Sequence, residues 1–117
     1  MKAEEILRII HKENDSRAYF TQVVILEQST NLVKARLYIT STLFVQIYRN
    51  DRFNTTSFVL IYNRQRIYAR DQLGDLWHRH TATAPNLHDV SVEGCRAVTL
   101  SEFLDEVEVV LSKKGLP

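Results

Sequence analysis

Apolar residues at Ala3, Ile6, Leu7 and Ile10 open the chain with the i, i+3, i+4, i+7 spacing that draws one stripe along a helix. This predicts an amphipathic helix over residues 2–12. Glu4 and Glu5 near its start, and His11 and Lys12 near its end, suit the backbone dipole. Asn14, Asp15 and Ser16 supply the turn expected to end it. From residue 18 the period changes to two. Residues 19–27 are rich in β-branched and aromatic side chains, and Thr30-Asn31 offers a turn. In residues 32–40, Val33, Ala35, Leu37 and Ile39 point one way while Lys34, Arg36 and Tyr38 point the other. Leu43, Val45 and Ile47 continue the alternation opposite Gln46 and Tyr48. Turns at 50–52 and 63–65 bracket a fourth strand over 56–62, and a fifth follows over 66–70. Connections this short favour an antiparallel meander, because parallel pairs need long crossovers.

Beyond residue 70 the alternation fails. Residues 68–89 hold three of the four histidines, the only tryptophan and three aspartates. The stretch reads as an ordered loop, since long irregular segments in small domains tend to be functional and its Trp and Leu content argues against disorder. A helix closes the chain. Thr99 and Glu102 fit a capping box, and Leu100, Phe103, Leu104, Val107, Val110 and Leu111 form its stripe. Lys113-Lys114, Gly115 and Pro117 stop it. The expected fold is α+β: an antiparallel meander of about five strands, an N-terminal helix and a C-terminal covering helix.

Composition narrows the class rather than the function. A chain of 117 residues, 44% hydrophobic and 25% charged, is expected to form a single domain over residues 1–117. The net charge of +1 exerts no global pull on nucleic acid, so any such contact needs a local patch. One is available: Lys34, Arg36 and Tyr38 could face Gln46 and Tyr48, and Arg64, Arg66, Tyr68 and Arg70 form a basic and aromatic comb. Cys95 is alone, which suits a reducing compartment. The opening residues lack the apolar run of a signal peptide, and no run is long enough to span a bilayer. A cytoplasmic protein without membrane contact is expected.

The candidate chemistry sits in residues 68–89. Two imidazoles beside an arginine suit metal-independent RNA cleavage, with one taking the 2′-hydroxyl proton and the other protonating the leaving 5′-oxygen. An ordinary imidazole pKa near ~6.5 keeps both protonation states accessible. The candidates for acid–base duty are His78, His80 and His88. Arg70 and Arg79 are expected to contact phosphate, Tyr68 and Trp77 to stack on a base, and Asp71 and Asp89 to orient imidazoles. Structural roles compete for each: histidines that shape a loop, a tryptophan that anchors it, aspartates that cap turns. His78, His80, His88 and Asp89 could also serve zinc, but the spacing matches no strong zinc pattern and Cys95 has no partner cysteine. No metal or other cofactor is assigned. No nucleophile elbow surrounds Ser91 or Cys95, and no Gly-rich phosphate loop exists.

These residues carry a resemblance. Ile67-Tyr68-Ala69-Arg70-Asp71, Trp77-His78-Arg79-His80, Pro85-Asn86-Leu87-His88-Asp89 and Leu100-Ser101-Glu102-Phe103-Leu104 are similar to segments of the TumE-type toxins of prokaryotic toxin–antitoxin systems, over roughly residues 24–111. In this chain Arg79 separates the first two histidines, and the second stretch keeps only His88. The resemblance implies a product that arrests growth unless a cognate antitoxin protein binds it. RNA is the target class that the residue chemistry adds, and a second copy of the chain is a further candidate partner. The competing reading is a non-catalytic module that binds protein or nucleic acid through the polar sheet face.

Overall fold

The computed structural model describes residues 2–81, 83–84, 87–89 and 91–117. Helix α1 (Ala3–Ser16) leads into β1 (Gln22–Gln28), β2 (Leu32–Tyr38), β3 (Leu43–Asn50), β4 (Thr55–Tyr62), β5 (Gln65–Leu73) and β6 (Leu76–His80), and α2 (Leu100–Lys114) closes the chain. The strands form one antiparallel sheet in sequence order, β1 to β6. This is the expected α+β meander with one more strand than the alternation revealed.

Both helices pack on the same face of the sheet. Ile6 and Ile10 of α1 join Phe103, Leu104 and Val107 of α2 over Val33, Ala35, Leu37, Val45, Ile47, Phe58 and Leu60. The alternation in β2, β3 and β4 is what delivers those side chains to one side. Apart from segments beside β6, the described residues place no helix on the other face.

Both helix ends have identifiable causes. Thr99 accepts from the Glu102 N–H and the Glu102 side chain accepts from the Thr99 N–H, completing the expected capping box. Gly115, at φ 68°, stops α2 in the left-handed conformation behind Lys113 and Lys114. In α1 the expectation needs correcting, because Asn14, Asp15 and Ser16 continue the helix and no basic residue occupies its last turn. Its N-terminus is capped from a distance: the Ala3 N–H reaches both Asp51 carboxylate oxygens at 3.0 Å. The exposed N–H groups of a helix start favour an anion there.

The larger correction concerns residues 68–80, which are hairpin rather than loop. Leu73 pairs with Leu76 across the two-residue turn Gly74-Asp75. Gly74 sits at φ 63°, a conformation that a residue without Cβ adopts freely. The period of two was hidden because both faces of this hairpin carry polar side chains. The comb is also rearranged. Arg66 pairs with Ile61 and Tyr68 with Leu60, so Ile67 is an extra residue in a β-bulge. The bulge leaves Arg66 on the helix-free face while Tyr68 and Arg70 turn toward the helices.

Candidate functional site

The β5–β6 register sorts the candidate residues by face. Asp71 pairs with His78 and Ala69 with His80, whereas Arg70 pairs with Arg79 and Gln72 with Trp77. Paired residues share a face. His78, His80 and Asp71 therefore stand on the helix-free side, and Tyr68, Arg70, Trp77 and Arg79 on the helix side.

The three imidazoles meet. The His88 ring stacks on His78, with centroids 4.9 Å apart and planes at 28°, and meets His80 edge-on at 4.6 Å and 71°. His80 is buried (3% exposed), His78 is half-buried and His88 is exposed. Behind them, His80 Nε2 lies 3.5 Å from Asp71 Oδ2, and Ser57 Oγ donates to Asp71 Oδ1 at 2.8 Å. Asp71 thus lies beside the His80 ring, with its other oxygen held by Ser57. Ser57 carries no sequence motif; only the β4–β5 register, which pairs it with Asp71, reveals it.

His88 is brought in by its neighbour. The Asp89 N–H donates to the Arg79 carbonyl at 2.7 Å, an isolated antiparallel bridge onto the edge of β6. The Arg79 Nε donates to Asp89 Oδ2 at 2.8 Å, and the Ser91 N–H donates to Asp89 Oδ1 at 3.0 Å. Donation from Ser91, and then from Arg79, depresses the Asp89 pKa from 3.8 to about 2. Asp89 was expected to orient an imidazole; its carboxylate serves Arg79 and Ser91 instead. Pro85 and Asn86, which precede this segment in the resemblance, lie outside the described residues.

The helix-side candidates do structural work. Arg70 is fully buried and forks onto Glu106, from Nε at 3.0 Å and from Nη2 at 2.7 Å. Its Nη1 donates to the Glu93 carbonyl at 2.7 Å, tying the 91–96 turn to β5 and α2. Burial alone would lower the Arg70 pKa, but the bonded and charged Glu106 outweighs it and raises it. Tyr68 stacks on Phe103 and donates to Glu106 at 2.7 Å; burial and then this bond push its pKa up to about 12. Trp77 lies against Phe58, with ring centroids 6.3 Å apart, and lines a cavity of about 290 Å³ with Ile6, Thr56 and Val98. The guanidiniums expected to contact phosphate, and the rings expected to stack on a base, thus sit across the sheet from the imidazoles.

Among the described residues no group of three or more His, Cys, Asp or Glu side chains is arranged to hold a metal ion. None of the helices there is long and apolar enough to cross a membrane. Comparison with protein-family models, with curated proteins and with solved structures finds no match to this chain.

Proposed function

We propose that this protein is the toxin of a toxin–antitoxin pair and that it cleaves RNA without metal at the His78–His80–His88 cluster. The observation that carries the reading is the meeting of three imidazoles from two separate segments on one accessible face. The toxin assignment draws support from the resemblance, whose segments 67–71, 77–80 and 87–89 are the ones that supply or brace the cluster. The protein acts in the cytoplasm, and a cognate antitoxin holds it inactive.

His78 and His88, the two rings nearer solvent, divide the proton transfers. One removes the 2′-hydroxyl proton as that oxygen attacks phosphorus, and the other protonates the departing 5′-oxygen, leaving a 2′,3′-cyclic phosphate and a free 5′-hydroxyl. His80, buried beneath His88 and backed by Asp71 and Ser57, is a positioning residue. Charge developing on the phosphoryl oxygens is met by the protonated imidazole and by Arg66, on the same face one row along β5.

Purified protein incubated with RNA tests this. Cleavage is expected to persist with a chelator present and to stop where the 2′-hydroxyl is replaced by hydrogen. His78→Ala or His88→Ala is expected to lower kcat by about 10²–10⁴ and to relieve growth arrest on induction. Undiminished cleavage by both folded variants removes the cluster from the chemistry. Binding without any product favours the non-catalytic module.

A further inference from the structure

We infer that the helix-free face of the sheet is the track for a single-stranded RNA, which lies across the strands from Arg36 on β2 to the histidine cluster on β6. The inference rests on the RNA reading above and adds where the substrate lies and in what form.

The register draws the track. One row of paired residues runs Arg36, Gln46, Val59, Ala69, His80, and the next runs Lys34, Tyr48, Ser57, Asp71, His78. Each row therefore ends on a member of the cluster. At ~4.8 Å between strands, β2 to β6 spans ~19 Å, room for at most about five stacked nucleotides.

The surface chemistry fits a strand with unpaired bases. The Arg36 guanidinium lies 4.6 Å from the Phe44 ring centroid, its Nε donates to Gln46 at 3.0 Å, and its Nη1 donates to the Tyr38 hydroxyl at 3.1 Å. A guanidinium fixed in this way is already ordered, so a base stacking on it or a phosphate bonding to it costs little further entropy. Half-buried Tyr48, Val59 and Ile61 give an apolar floor between the cations Lys34, Arg36 and Arg66. Of the acids on the described strands of this face, Glu27 stands on β1 opposite Lys34 and Asp71 is engaged by Ser57, which leaves Arg36 and Arg66 as the cations with no acid as their register partner. Glu102, Asp105, Glu106 and Glu108 belong to α2 in the other layer. The cations of this face are therefore spread along the track, and its acids stand at or beside the two ends. An open sheet face bearing aromatic and cationic side chains suits splayed single-stranded bases rather than a duplex.

The test measures binding of a short labelled single-stranded RNA to His88→Ala protein, whose cleavage is expected to be slow against the time of the measurement. Arg36→Gln, Lys34→Ala and Tyr48→Ala are each expected to weaken binding about tenfold, while Lys113→Ala on α2 leaves it unchanged. Losing Arg36 or Lys34 should also flatten the slope of log affinity against log salt by about 0.7. Arg36→Lys is expected to keep the slope and lose affinity, a split that a merely misfolded variant would not give. Circular dichroism confirms folding of each. Undiminished binding by the folded sheet variants overturns the proposal, as does tighter binding of duplex RNA. A dimer that buries this face and is dissolved by Tyr48→Arg overturns it too.

Cleavage kinetics keep the two readings apart. With the histidines intact, the sheet variants are expected to raise KM and spare kcat. Cleavage whose KM ignores Arg36, Lys34 and Tyr48 sinks the track and leaves the cluster standing. Weakened binding in a protein that never cleaves does the reverse.

Discussion

Gly94 has the tightest surroundings of the three glycines. A methyl carbon there would collide with the Asp89 carbonyl oxygen and stand 2.7 Å from its carboxylate carbon, so the turn can approach only because the side chain is missing. Gly94→Ala is expected to push the 88–89 segment off β6 and to abolish cleavage, at a cost of about 1–3 kcal/mol in denaturant melts. Arg70 acts from further back. Arg70→Met takes the fork from Glu106, which keeps Tyr68 and Arg96, and leaves the Glu93 carbonyl without its donor, a loss of about 1–3 kcal/mol. The expected result is a lower urea midpoint. Asp89 sets an acid limit. Its pKa is about 2 in the fold against an ordinary 3.8, so its stabilising contribution is whole above about pH 4 and is lost as pH falls toward 2. The His88 ring resonances, followed by NMR, are expected to lose their packed environment across that window.

Elements differ in how plainly the sequence announces them. The strands β2, β3 and β4 alternate apolar and polar side chains, and α2 carries both its cap and its stop, so each is readable without coordinates. The β5–β6 hairpin is not. Arg70, Gln72 and Arg79 face the helices while Asp71, His78 and His80 face away, so neither side looks apolar. What replaces hydrophobic burial is the ion pair of Arg70 with Glu106, a partner on α2 that no local pattern could supply. The convergence of His78, His80 and His88 was open to argument from spacing. The separation of Arg70 and Arg79 from them required the bulge at Ile67 and the register to be known. The α1 cap was equally hidden, since Asp51 lies in the β3–β4 turn. Asp51→Ala and Thr99→Ala are each expected to cost about 1 kcal/mol, read from thermal unfolding.

At the scale of the molecule, the two helices form one layer and, among the described residues, leave the other face of the sheet without a helix. Every strand pairs with its neighbour in sequence, so hairpins can close as the chain lengthens, with no long crossover to wait for. The histidine cluster follows a different timetable. His88 keeps its place through Asp89, Asp89 through the turn at Gly94, and that turn through Arg70, whose main counter-ion is Glu106. A growing chain can therefore complete all six strands while the His88 segment still lacks its brace, because the counter-ion of Arg70 lies on α2, later in the chain than every strand.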